Sequence, residues 1–341
     1  MRILLVHPGI DFSVGDVHEG WAKALAELGC EVQTYNLADA LEFYGCVEFE
    51  GGKHLSVKDQ IEFAAAGIPA KCYEYQPDVV FVVSGFFVPD EIWRLWRARG
   101  QKTVLLVTES PYEDDKHLAL VERVEPAIVL LNDPTNLDAY RDGKRRVYYF
   151  PHAFDPQCHH PEKVKPDCDF VFVGTGYGSR IEFLEQCDFT DLTVKLAGSW
   201  VGLDDDSPLI PHLVHDKKTC SPNAETVALY HSARVAANLY RGAREHHTEA
   251  NRAELTRGWA MGPREVELAA CGTFFLREPR GEGDLIFPML PTFTEPAEFC
   301  ELLRHYVMNP RARNKAARAA CAAVQDRTFT AHAARFLRLL R

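Results

Sequence analysis

The chain has 341 residues, 46% of them hydrophobic and 26% charged, with a formal net charge of −11. That length suits two domains better than one, and the apolar fraction supplies a full core for each. The acidic surplus lies in residues 1–150, with 24 acidic against 15 basic residues, which leaves no cationic face there for a nucleic acid.

The chain opens MRILLVHPG, where the apolar run Ile3 to Val6 ends at His-Pro-Gly. Such a run is too short for a signal peptide, and no stretch reaches the ~18 apolar residues of a membrane span. A soluble, cytoplasmic protein is expected. Its ten cysteines include no C-x-x-C pair, so they read as reduced, partly buried thiols. The clusters Cys158-His159-His160 and His246-His247 are adjacent residues that rarely converge on one ion, and no metal site is expected.

Strand-length apolar runs follow at 3–6, 32–37, 79–83, 104–108, 128–131 and 147–150. Between them, apolar residues such as Trp21, Leu25 and Leu28, or Ile92, Leu95 and Trp96, recur at helical spacing. Continuous apolar strands separated by helices predict a parallel sheet covered on both faces, a doubly wound domain over 1–150. Prolines 151, 156, 161 and 166 then fall every five residues. That density forbids helix and central strand alike, so 151–167 is read as a linker.

The α/β rhythm restarts over 168–326. Strands are expected at 170–173, 192–197, 235–239 and 273–276, with helices from about 179, at 224–232 and at 264–270. Helices at 296–307, 310–324 and 330–340 close the chain, and the last segment, 327–341, is expected to pack back toward the N-terminal domain. Two Rossmann-like domains joined by a linker would face a cleft, with ligands at the carboxyl ends of the strands.

Within this frame, Gly174-Thr-Gly176-Tyr-Gly178-Ser-Arg180 joins a buried strand to a helix. Its glycines would let a phosphate approach free backbone N–H groups, with Arg180 gripping it. Further on, Arg264 and Glu267 stand three apart on one helical face. The arginine suits a phosphate and the carboxylate suits ribose hydroxyls. Arg241, Arg244, His246, His247, Arg252 and Arg257 follow the strand that ends near Asn238 and could help to neutralise a leaving diphosphate.

The string R-x-x-E-x-x-A-C-G-x-F-x-L from Arg264 to Leu276, the helix EFCELLRHYVMNPRAR and the closing TFTAHAARFL resemble the spore-maturation (CgeB-type) glycosyltransferases. PHAFDPQCHHP matches their interdomain linker and FVGTGYGSR their glycine loop, so the likeness runs from about residue 147 to the end. The acidic loop after Leu276 belongs to the same likeness, which implies the two-domain GT-B architecture. The likeness also implies a UDP- or GDP-linked sugar held mainly by the second domain, with no cofactor and no obligatory metal. In related retaining enzymes a glutamate ahead of an A-C-G ending contacts the donor ribose, which is the place of Glu267. Those enzymes carry a second glutamate eight positions earlier, where this chain has Trp259, so inverting and retaining chemistry both stay open.

His18, at the start of the first helix, looks like the catalytic histidine of inverting GT-B enzymes. It would deprotonate an acceptor hydroxyl with a pKa near neutrality, and Glu109 is the candidate orienting carboxylate, which would move that pKa upward if it stands beside the ring. Asp11 and Asp16 are the alternative bases. The expected activity is transfer of a sugar from a nucleoside-diphosphate donor to an acceptor that the residues leave unnamed. A nucleotide-sugar 2-epimerase or hydrolase, and a catalytically silent nucleotide-sugar-binding protein, are the alternatives.

Overall fold

The structure, a computed structural model, describes residues 1–10, 12–141, 143, 145–219, 222–242 and 258–341. Its described elements begin with β1 (Arg2–Val6), α1 (Phe12–Glu27), β2 (Glu31–Tyr35), α2 (Leu37–Gly45), β3 (Glu48–Phe49) and β4 (Lys53–His54). Next come α3 (Val57–Ala65), α4 (Gly67–Tyr75), β5 (Val79–Val83), α5 (Asp90–Ala98), β6 (Lys102–Val107), α6 (Asp114–Val124), β7 (Ile128–Leu131), α7 (Leu137–Tyr140) and β8 (Arg146–Tyr149). After them stand β9 (Cys168–Val173), α8 (Gly178–Glu185), β10 (Val194–Ala197), α9 (Asn223–Ser232), β11 (Ala233–Asn238), α10 (Pro263–Ala270) and β12 (Phe275–Arg277). The chain closes with α11 (Gly281–Ile286), α12 (Pro296–Met308), α13 (Pro310–Ala323) and α14 (Phe329–Leu340).

Two compact units result: Met1–Pro151 with Phe329–Arg341, and His152–Thr328. The first holds a parallel sheet in the order β2-β1-β5-β6-β7-β8. Its strand residues alternate between two cores. Leu4, Val6, Val80, Val82, Leu105 and Val107 face one, and Ile3, Leu5, Val79, Phe81, Val104 and Leu106 face the other. A period of two with both faces apolar is what a sheet covered by helices on each side demands. Helix α14 completes the second core. Phe336 meets Trp21 edge-on at 5.8 Å, and burying such a ring stabilises the unit by roughly 1.5–3 kcal/mol.

The second unit holds a parallel sheet ordered β10-β9-β11-β12 over a single core. In each sheet the strand order reverses once, between β1 and β5 and between β9 and β11. Ligands of such sheets bind at the carboxyl ends flanking that reversal, because the loops there diverge.

Two expectations need correction. The second strand stops at Tyr35, because Asn36 caps α2 by accepting the Asp39 N–H at 3.2 Å, so Leu37 is helical rather than extended. The acidic loop after Leu276 contains α11, whose Glu282 is buried and accepts from Arg327 at 2.7 Å and from the Met261 N–H at 2.9 Å. The expected acidic loop is therefore in part a short helix, with one of its carboxylates turned inward by its partners.

Candidate active site

At the reversal point of the second sheet, β9 ends in Gly174, whose φ of +153° disfavours any side chain. A Cβ built there would lie 2.2 Å from Arg264 Nη2. The glycine therefore lets the guanidinium lie directly against the strand end. Arg264 donates from Nη1 to Asn238 Oδ1 at 3.0 Å and rests 5.0 Å from the Phe172 ring centroid. Among the described residues Asn238 is the one acceptor its guanidinium meets, so most of its five N–H donors remain for a ligand. Gly198, which follows β10 at φ +106°, is crowded by backbone: a Cβ there would lie 2.6 Å from the Gly174 carbonyl oxygen. Gly176 is similarly pressed against the Trp200 ring, at 2.3 Å from a Cβ position to Cε3.

Arg180 takes a different part from the one its sequence position suggests. It is buried, and it donates from Nε to the Leu239 carbonyl at 3.0 Å and from Nη1 to the Thr175 carbonyl at 2.8 Å. These bonds fasten the glycine loop to the end of β11, so Arg180 positions the loop rather than presenting its charge to a phosphate. Gly178 opens α8, whose first turn carries no acidic residue; the Ser179 hydroxyl accepts the Gly242 N–H at 3.2 Å.

Helix α10 starts with Pro263 in its first turn and carries Arg264 and Glu267. No ion pair joins these two. Glu267, half-buried, accepts from the Tyr230 hydroxyl at 3.3 Å. Burial first, then the Glu267 carboxylate, hold the Tyr230 phenol well above its ordinary pKa, so it stays a donor. Beneath them Glu265 is fully buried, taking hydrogen bonds from the Tyr240 hydroxyl and, at 3.0 Å, from the Gly262 N–H. Burial raises its carboxyl to about 7 against the pull of those donors and of Arg277 and Arg280. The neighbouring Glu278 carboxylate accepts the Tyr240 N–H. Trp259, at the position where the retaining enzymes carry a glutamate, lays its indole on Gly281 and stays 37% exposed.

In the first unit β1 ends at His7 and α1 presents His18. The two rings meet edge-on, centroids 4.8 Å apart. His18 is buried, and neither ring nitrogen has a hydrogen-bond partner. Burial first, then His7, lower its pKa to about 4, with the Leu5 backbone opposing. That corrects the expected upward shift: desolvation dominates, and no carboxylate contributes. Glu109 follows β6, which stands two strands from β1 in the sheet, a separation of about 10 Å. Asp16 is two residues from His18 on α1, so the side chains diverge by about 200° around the helix. His18 is therefore paired with an imidazole. Asp11, Arg244, His246, His247, Arg252 and Arg257 lie outside the described residues.

Sequence reasoning missed His7, Asn238, Glu265 and Tyr230. Asn238 had a signal, as a polar residue closing an otherwise apolar strand. His7 closes β1 in the same way. Among the described residues no group of three or more His, Cys, Asp or Glu is arranged to hold a metal ion, and no helix is long and apolar enough to cross a membrane.

Two doubly wound units with polar groups at their sheet-reversal points have the architecture of the GT-B glycosyltransferases. Solved structures share this fold over the whole chain. Sucrose-phosphate synthase from Thermosynechococcus elongatus is 11% identical, with 100% of this chain and 99% of that chain covered and a TM-score of 0.66. Anabaena Alr3699/HepE in complex with UDP-glucose is 12% identical, with 99% and 100% covered and a TM-score of 0.61. An alpha-glucosyltransferase (AGT) in complex with UDP is 11% identical, with 100% and 99% covered and a TM-score of 0.67. No curated protein matches the chain in sequence. The chain belongs to the glycosyl transferase-like family, whose sequence profile matches residues 165–338.

Proposed function

We propose that this enzyme, a CgeB-type member of the family acting in the cytoplasm, transfers a sugar from a UDP- or GDP-linked donor to an acceptor hydroxyl without needing a metal. The observation that carries this reading is the Arg264 guanidinium, seated on Gly174 at the reversal point of the second sheet with its remaining donors uncommitted. A planar array of N–H donors at a glycine-lined strand end suits the diphosphate. Its charge would offset the negative charge that grows on the leaving group, the task a metal performs elsewhere. Glu267, one helical turn away, suits the ribose hydroxyls. HepE with UDP-glucose and AGT with UDP, which share the fold, support a nucleotide-sugar donor.

In the reaction the acceptor oxygen bonds to the anomeric carbon as the bond from that carbon to the diphosphate oxygen breaks. The hydroxyl proton passes to a base, for which His18 in its neutral form is the candidate. With its pKa lowered to about 4, His18 is neutral throughout the neutral range, so the acid limb of the rate should lie near 4 rather than near the ~6.5 of an unperturbed imidazole.

The test is calorimetry of the full chain against a panel of UDP- and GDP-sugars, paired with nucleotide release in the presence of EDTA. Binding of one nucleotide series, lost in Arg264→Ala, and EDTA-resistant release are expected. Absence of nucleotide binding would overturn the reading. C2 inversion without release would assign an epimerase, and EDTA-sensitive turnover would remove metal independence.

A further inference from the structure

We propose that His7 is a second acceptor-binding group of the first unit, holding the acceptor hydroxyl as a neutral hydrogen-bond donor through Nε2 while His18 accepts that hydroxyl's proton. The inference rests on the transferase reading and adds to it a residue with a defined tautomer.

The tautomer follows from one hydrogen bond. The Gly9 N–H donates to His7 Nδ1 at 3.2 Å, and a backbone N–H has no lone pair with which to accept. Nδ1 must therefore be the unprotonated nitrogen, and in the neutral ring the proton sits on Nε2. The ring is held from its own backbone as well, since the His7 N–H donates to the Tyr35 carbonyl at 3.1 Å. Nε2 meets no acceptor among the described residues, and the side chain is only half-buried. It is thus a fixed donor at the carboxyl end of β1, beside the sheet-reversal point.

His18 supplies the complementary half. Its ring is buried and packed edge-on against His7, and both its nitrogens lack partners. Leaving a buried polar group unsatisfied is costly, and such an orphan beside a fixed donor marks a place for a ligand that brings both functions. A hydroxyl both donates and accepts. A phosphate anion at neutral pH mainly accepts, and it would meet a lone pair on the neutral His18. The acidic balance of residues 1–150, 24 against 15, also disfavours an anion.

The groups facing His7 are consistent with a neutral ring. Burial lowers its pKa, and Glu19 on α1 and Asp39 on α2 oppose this without overcoming it; the Gly9 N–H on Nδ1 itself favours the neutral ring. His18, the other titratable group against it, is itself held neutral. A neutral imidazole used as a donor rather than a base has precedent in enzymes that polarise a substrate oxygen.

Nitrogen-15 NMR of the imidazoles in the full chain tests the tautomer directly, independently of any catalytic assay. At neutral pH His7 should carry its proton on Nε2. A proton on Nδ1, or an even mixture, would overturn the proposal. The functional arm uses two amides. His7→Gln places an N–H near Nε2, and His7→Asn places one near Nδ1. With water as acceptor, release of nucleotide from the bound sugar donor should stay within several-fold of wild type in His7→Gln and fall on the order of 10²-fold in His7→Asn, the usual effect of losing a positioned donor. Equal losses in both variants would sink the donor role. A His7 Nε2 resonance that responds to millimolar inorganic phosphate would assign the site to an anion and overturn the hydroxyl. Should no nucleotide sugar bind at all, the transferase reading fails while the tautomer measurement still stands or falls by itself.

Discussion

The two parallel sheets finish their strands with different chemistry. In the first unit the groups around the strand ends include buried imidazoles, His18 beside His7 and His117 with its ring 4.2 Å from that of Phe86, and the buried carboxylates Glu113, Asp114 and Asp133 that follow β6 and β7. In the second unit they are guanidiniums and carboxylates, with Arg180 and Arg264 among carbonyls and amides and Glu265 beneath them. The same sheet geometry thus carries imidazoles and carboxylates in the first unit, with no buried guanidinium among the described residues, and guanidiniums where a diphosphate would be held in the second. The difference teaches that the fold supplies only the place, a pair of diverging strand-end loops, and that side-chain chemistry decides which ligand the place suits.

The largest effect that would sharpen this contrast is an opposite response to pH. Burial lowers the His18 pKa to about 4 and that of His117 to about 3. Both lie below the unfolded value near 6.5, so the unfolded chain binds more protons in that window. Their contribution is full above pH ~6.5 and is lost as pH falls toward ~4 and ~3, His18 alone accounting for roughly 3 kcal/mol. Burial also raises the Asp114 carboxyl in this unit, which opposes the trend. Glu265 has the reverse sign. With its pKa raised to about 7, its stabilisation is full below an unfolded value near 4.5 and is lost as pH rises toward 7. Hydrogen exchange resolved by unit should show the first unit weakening on acidification from pH 6.5 to 4, and the second strengthening from pH 7 to 4.5. Glu265→Gln should flatten the second trend alone. Parallel slopes in both units would break the comparison.

A smaller but more local effect is expected from Gly198→Ala. Its methyl group would meet the Gly174 backbone rather than a side chain that can swing away, and the φ of +106° adds strain. The two together should destabilise the second unit by roughly 3 kcal/mol. Denaturant unfolding should show that transition move while probes of the first unit, such as Trp21 and Trp93, keep their midpoint. An unchanged second transition would mean that the glycine crowding is relieved by a small loop movement.

The smallest effect concerns the ribose carboxylate. Glu267→Ala should weaken nucleotide binding by about 2 kcal/mol, the loss of charge-assisted hydrogen bonds. Tyr230→Phe, which removes only the bond that orients Glu267, should weaken it by less than about 1 kcal/mol. Calorimetry giving equal, near-zero changes would place the nucleotide elsewhere and leave Glu267 as a surface carboxylate.

Much of this was legible in the residues before any coordinates. Runs such as VVFVV at 79–83 are apolar at every position, and only a strand covered on both faces needs that, so the sheet content of both units could be read locally. The glycines at 174 and 176 stood out as a strand-to-helix loop open to a phosphate; in the structure Arg264 and the Trp200 ring lie against them. Arg264 and Glu267 were found through their helical spacing and the A-C-G ending that follows. The helices between β2 and β5 were not, because α2, α3 and α4 are short and their apolar stripes are broken by exposed aromatics such as Phe43, Phe63 and Tyr73.

What only the tertiary structure decided is partnership. Periodicity records that a residue faces inward but not which distant residue it meets, since that depends on strand order and loop path. His18 meets His7 rather than Glu109 because β5 stands between β1 and β6. Arg180 is held by the Leu239 carbonyl because β11 lies beside β9. Glu265, a carboxylate on a helix like any other in the sequence, becomes a fully buried acid because Tyr240 and Gly262 close over it. Local sequence sets which elements form, through backbone preference and the burial of one face. The pairing of charges and rings at the strand ends is set by long-range topology, where no neighbouring residue carries the information.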